Sequence, residues 1–306
     1  QTCALPIYVS VFVYKSNARV TLPDLDEQLQ QRALGRFRDL LGAATLHPAM
    51  LRFLDNGQNT ADKLNENLGR ELLELHTLGV DGGYTQADVR TAARVLTGLG
   101  YAVNEQPPKL SGEAAAQYRR TGLVEFLPQR HDNGAKTLLG EALTARGFDE
   151  VEQMLDRLAR HPSTASHVCR RLAEFMLGQP PGDDLLQVLS ATFLAQDGRI
   201  DAVLRTLFDH PAFEASLGQG FKDPTHWVIS ALRLGLGSAD PGVPDAAQVI
   251  GWLDRLGQVP YGRLTPDGYP LDAAAWRGPG QLTARFDVAR SIAAAWPRLW
   301  RGSEAP

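Results

Sequence analysis

From Asp24 onward the apolar residues of this chain return every third or fourth position, as in Leu34, Phe37, Leu40 and Leu41 and again in Met50, Leu51, Phe53 and Leu54. That spacing gathers apolar side chains on one stripe of an α-helix and scatters them over both faces of a strand. It therefore predicts an all-α fold, with further helices over about 60–78, 85–99, 149–160, 162–177, 183–195, 199–209, 222–235, 245–256 and 281–295. No fixed-period repeat is present, so the expected architecture is an irregular multi-helix array or orthogonal bundle with long ordered loops. Residues 22–306 read as a single helical domain.

The punctuation agrees with this. His47-Pro48, His161-Pro162 and His210-Pro211 each stand between two helical patterns, and proline in the first turn of a helix forfeits no hydrogen bond. Thr85 with Asp88 gives an N-cap and a near capping box, while Gly79 and Gly82-Gly83 end the preceding helix. Residues 104–148 read as a long connection holding a short hairpin around Leu123–Leu127, and 257–280, with four prolines and Trp276, as an ordered surface loop. Residues 1–21 differ in character. QTCALPIYVSVFVYKSNAR is β-branched and aromatic, resembles translated sequencing-adapter sequence, and is expected to be a non-native or disordered leader.

The stretch Asn65 to Gly79 concentrates the polar chemistry. Glu66–Arg70 and Arg70–Glu74 are both i,i+4 pairs, the spacing of a solvated helix face laced by weak ion pairs. Leu68, Leu72, Leu73, Leu75 and Leu78 make the same helix apolar on more than one side, so some charges must be buried and paired. On that reading Arg70, between Glu66 and Glu74, is a structural clamp. The rival reading is a divalent-metal or catalytic site with Glu71, Glu74 and His131 as ligands and Asp132 beside them, since carboxylates and imidazoles are what Zn²⁺, Mn²⁺ or Ca²⁺ accept. His76 is two after Glu74 and five after Glu71, neither of which shares a helix face with it. His131-Asp132 either forms a base and its orienting partner or sits in a surface turn. Residues 77–88 resemble a calcium loop only superficially, because Thr77 and Gly79 occupy its leading ligand positions.

Composition removes several classes. With 31 basic and 35 acidic residues spread along the chain and a net charge of −4, no basic face is available for nucleic acid. Cys3 and Cys169 alone make neither a disulfide framework nor a thiolate cluster. No apolar run reaches the roughly 18 residues of a membrane span. Neither a G-x-S-x-G elbow nor a phosphate-binding glycine loop occurs.

The run NENLGRELLELHTLGVDGGYTQADVRTAARVLTG resembles the signature of the bacterial domain of unknown function 1800. Supporting segments follow in order: ALGRFRDLLGAATLHPAMLRFLDNGQN, HDNGAKTLLG, HPSTASHVCRRLAEFM, and WLDRLGQVPYGRLTPDGYPLDAAAW with Arg285 beyond it. The resemblance implies that Asn65, Glu66, Asn67, Arg70, Glu71 and Glu74, together with His131, Asp132 and Lys136, form the family motif. It implies a longer family domain, of which this chain is an N-terminally truncated fragment. It also implies a periplasmic or secreted protein whose partner belongs to the family of domain of unknown function 1501. The expected function is an extracytoplasmic helical protein that binds a partner protein or surface polymer. The alternative is a metal-assisted hydrolase using Glu71, Glu74, His131 and Asp132.

Overall fold

Proline and histidine decide where many of the helices begin. The computed structural model describes residues 21–102, 104–236 and 245–299, so the leader, except for Thr21, lies outside the described residues. Helix α1 (Leu22–Arg32) carries Pro23 in its first turn, α2 spans Phe37–Thr45, and α3 (Pro48–Phe53) starts on its proline. A 3-10 turn at Asn56–Gln58 leads to α4 (Asn67–Glu71), which widens into a π-helical segment at Leu72–Thr77 before α5 (Gln86–Val95). Then come β1 (Leu99–Tyr101), α6 (Gly112–Gln117), β2 (Arg119–Thr121), β3 (Val124–Phe126), β4 (Thr137–Leu138) and β5 (Glu141–Ala142). Long helices resume as α7 (Phe148–Ala159), α8 (Pro162–Leu177), α9 (Asp183–Ala195), α10 (Ile200–Phe208) and α11 (Pro211–Ser216). The last are α12 (Pro224–Leu236), α13 (Ala246–Arg255) and α14 (Pro279–Leu299).

The all-α reading holds, since helix accounts for 60% of the residues and strand for only 6%. The His-Pro pairs are helix caps with a hydrogen bond behind them. His47, His161 and His210 each turn Nδ1 to accept the N–H two residues on, at 3.1, 3.1 and 3.2 Å. An Nδ1 that accepts leaves the proton on Nε2, which in His47 faces Asp24 Oδ2 at 3.0 Å. Thr85 and Asp88 close a full capping box at the start of α5.

Two expectations need correction. The helix expected over 60–78 begins only at Asn67, because Asn65 Oδ1 accepts the Asn67 N–H at 3.0 Å and Asn59 Oδ1 accepts the Asn65 N–H at 2.9 Å, which holds residues 60–66 in turns. The helix expected over 85–99 stops at Val95, and Leu99–Tyr101 instead pairs with Val124–Phe126 in an antiparallel sheet of order β1-β3-β2, with Leu99 opposite Phe126. Three residues per strand are too few for a period-2 pattern to show. The connection 104–148 thus holds one hairpin, β2–β3, whose strand β3 also pairs with β1, and a second, smaller hairpin, β4–β5.

Burial divides the helices into two groups. A large apolar cluster takes Leu25, Leu29, Phe37 and Met50 from the first helices, Leu68, Leu72 and Leu96 from the middle, and Met154, Leu172, Leu189 and Val203 from α7 to α10. A second cluster, Val228, Leu232, Trp252, Leu253, Val288 and Ile292, belongs to α12, α13 and α14 and shares no member with the first.

Candidate functional site

The motif residues fall into two separate groups. The first is built where α5 ends. Thr97 Oγ1 donates to the Arg94 carbonyl at 2.6 Å and accepts the Asp132 N–H at 2.8 Å, so the HDNGAK loop is laid across the end of the helix. Gly98 follows with φ +78°, and the Leu127 N–H donates to its carbonyl at 2.8 Å. The loop carries His131, which is only 4% exposed and whose Nδ1 donates to the Thr97 carbonyl at 2.9 Å. Its Nε2 stands 3.3 Å from Glu150 Oε2. Lys136, 3% exposed, brings Nζ to 2.6 Å from the same Glu150 oxygen. It also donates to the Asp132 carbonyl and, at 3.2 Å, to that of Gly134. Two backbone carbonyls and one carboxylate thus surround the ammonium.

Burial on its own would push the Glu150 carboxyl up. Hydrogen bonding to His131 and Lys136 outweighs that and holds it below the usual range. Asp132 is gripped from the other side. Arg94 donates Nε to Oδ2 at 2.6 Å and Nη2 to Oδ1 at 3.1 Å, and the Gly134 N–H adds 2.8 Å to Oδ1. These donors, the Arg94 fork first, hold the Asp132 carboxyl down to about 2. The expectation that His131-Asp132 sits in a surface turn is therefore corrected. Phe126 packs edge-on against the His131 ring at 5.1 Å, and the ring lies inside the fold.

Acid should open this arrangement. A carboxyl whose folded pKa is depressed stabilises the native state above its unfolded pKa, near 3.8 for Asp132, and that stability is lost as pH falls through about 2. Glu150 acts in the same direction. Denaturation at pH 6, 4 and 2.5 should show a falling midpoint, with Asp132 contributing about 2 kcal/mol. Asp132→Asn should lower stability at pH 6 and flatten the acid limb; an unchanged limb would remove Asp132 from the explanation.

The second group surrounds the π-helical segment. Glu66 Oε2 accepts from Arg70 Nη2 at 3.0 Å and from Gln86 Nε2 at 2.7 Å, tying α4 to α5. The expected Arg70–Glu74 pair does not form. The wider turn has its own register, with the Leu78 N–H and the Thr77 hydroxyl donating to carbonyls five residues back at 2.8 and 2.7 Å, and it rotates Glu74 away from Arg70. Glu74 instead accepts the Tyr84 hydroxyl at 3.4 Å. Burial, then the adjacent Glu74 charge, raises the Glu71 carboxyl; burial likewise raises that of Glu174, with Asp272 adding to it. Asp267 bears on both Glu71 and Arg171. The result is a half-buried, acid-rich face around Arg171. His76 turns to the other side, against Phe37, Leu40, Met50 and Leu68. Among the described residues no three His, Cys, Asp or Glu side chains converge as a metal-binding group. Neither Glu71 nor Glu74 is among the hydrogen-bond or ion-pair partners of His131, which are Thr97 and Glu150.

Several contributors escaped the sequence reading. Glu150 lies at the apolar spacing of Met154 and Leu158, and a carboxylate on that stripe is the signal of a buried pair. Asn56 and Asn59 are buried and spend their amides on the carbonyls of Leu96, Leu99 and Ala93 at 3.1, 2.8 and 2.8 Å. A polar cleft of about 300 Å³ between α2 and α7 is lined by Arg36, Arg38, Asp39, Glu152, Asp156 and Arg160, with Asp197 and Gly198. Its charges are largely spent on each other: Arg38 on Glu152 and, at 2.5 Å, on Asp156, and both Arg36 and Arg160 on Asp197.

No helix among the described residues is long and apolar enough to cross a membrane. No curated protein and no solved structure matches the chain. The model of one family, described as "Protein of unknown function (DUF1800)", matches residues 5–305. The sequence resemblance and this near-complete match agree, and the chain belongs to the DUF1800 family.

Proposed function

We propose that this chain is an extracytoplasmic helical binding protein, with the HDNGAK loop clamping the fold and the carboxylate face of the π-helical segment meeting the partner. The observation that carries the reading is the separation of the motif into two kinds of site. His131, Lys136 and Glu150 are buried and held together as close ion pairs, with Lys136 also bonded to backbone carbonyls, so this group is enclosed within the fold. Glu71 and Glu74 are partly exposed, and the Glu74 charge beside Glu71 outweighs the opposing Arg70, so the face stays acidic. Such a face suits a cationic group, either a basic side chain of a protein or an amine of a surface polymer. The family resemblance supports a location outside the cytoplasm and points to a protein of the domain of unknown function 1501 family as the first partner to try.

The sign of the Glu71 shift separates binding from stability. A carboxyl whose folded pKa is raised destabilises the native state once pH rises above its unfolded value. Glu71→Gln should therefore leave the thermal midpoint at pH 7 unchanged or higher, while Glu71→Gln with Glu74→Gln should weaken partner capture by ~10-fold or more. Titration against the purified partner and against cationic polymer, with melting curves alongside, tests this. A lowered midpoint with intact binding would make the pair structural. Near-stoichiometric metal in chelator-free protein, lost in Glu71→Gln, would instead establish the hydrolase.

A further inference from the structure

Helix α14 buries Arg285, Val288 and Ile292 on its inner side. Its outer side is apolar as well. Leu282 is 43% exposed and Phe286 72%, and Ala289 and Ala293 are exposed beyond them. The steps along this stripe are four, three and four residues, the spacing of a helix–helix seam, and the stripe ends where Trp296 turns in against Gly235 of α12.

We propose that this face pairs with the same face of a second copy of the chain, the two helices running antiparallel about a twofold axis close to Val288 and Ala289. Size argues for that partner and that direction. The N-terminal half of the stripe is bulky and the C-terminal half small, so an antiparallel copy sets Phe286 into the space over Ala289 and Ala293 on both sides of the axis. A parallel copy would set Phe286 against Phe286 and leave a gap at the alanines. Charge argues the same way. Asp287 and Arg290 lie together on one flank, exposed at 54% and 82% of their side chains and 2.5 Å apart. An axis between them places each acid opposite the other copy's base, which makes the flank self-complementary. This surface is the outer side of a helix whose inner side belongs to the second apolar cluster, and it does not depend on the carboxylate face around Glu71.

Sedimentation of the full 306-residue chain from roughly 1 to 200 µM should show a monomer–dimer equilibrium. Phe286→Glu should weaken it by ~100-fold. The far-UV spectrum should stay unchanged, as the ring is exposed in the monomer. Asp287→Arg alone should weaken dimerisation by ~5–10-fold, and Asp287→Arg with Arg290→Asp should restore most of it. A wild-type chain that stays monomeric throughout, or a dimer indifferent to Phe286→Glu, would overturn the proposal. A double charge reversal no better than the single one would overturn the antiparallel register.

Discussion

Replacing Glu150 by glutamine should cost about 3–5 kcal/mol of unfolding free energy, because it leaves Lys136 buried without its counter-charge. The substitution keeps shape and volume, so the loss is electrostatic and no cavity forms. Urea denaturation followed by far-UV circular dichroism measures it. The magnitude rests on an asymmetry: removing one member of a buried pair is far costlier than removing both. Lys136→Met with Glu150→Met should therefore recover a large part of the loss, leaving His131 held by Thr97. A single variant within 1 kcal/mol of wild type would mean that water reaches the cluster and that the motif does not clamp the fold.

Gly98→Ala is the second large effect, at about 2–4 kcal/mol, and its origin is backbone. A Cβ there would lie 2.6 Å from the Leu127 carbonyl oxygen and 3.2 Å from the His131 nitrogen, neither of which can rotate away as a side chain would. Gly140 is the control. Its φ of +79° matches the +78° of Gly98, but nothing lies within 4 Å of its added Cβ, so Gly140→Ala should cost only the left-handed backbone penalty of about 1–2 kcal/mol. Equal losses at the two positions would show that conformation alone, and not the packing of the HDNGAK loop on the end of α5, makes Gly98 necessary.

The helices were legible because three-and-four spacing and His-Pro punctuation are local signals: α7 to α10, α12 and α13 start and stop within about two residues of the pattern, while the short α11 was not among the expected helices and α14 runs four residues past its expected end. What the sequence hid was non-local or irregular. Leu99 pairs with Phe126 across 27 positions, a contact that no window of helical length reports. The π-helical segment has the composition of an ordinary helix, so the expected Arg70–Glu74 pair fails for a register change that composition does not encode. His131 was left open between a base with its partner and a surface turn, since its partners Thr97 and Glu150 are distant along the chain. The separation of Glu71 and Glu74 from His131 follows from the same cause. A motif collects residues by order along the chain, and folding assigns them to different neighbourhoods.

The division of the apolar interior bears on how this protein can be watched. All five tryptophans, at 227, 252, 276, 296 and 300, lie in the final third of the chain, and Trp252 sits in the smaller cluster with Trp227 and Trp296 packed against it. Indole emission therefore reports on α12 to α14 and on the loop that carries Trp276, and not on the clamp at Glu150. Should the two clusters melt at different denaturant concentrations, fluorescence and backbone dichroism will trace different curves from one sample. The lag between them would then be a direct reading of how far the halves of the interior fold as one.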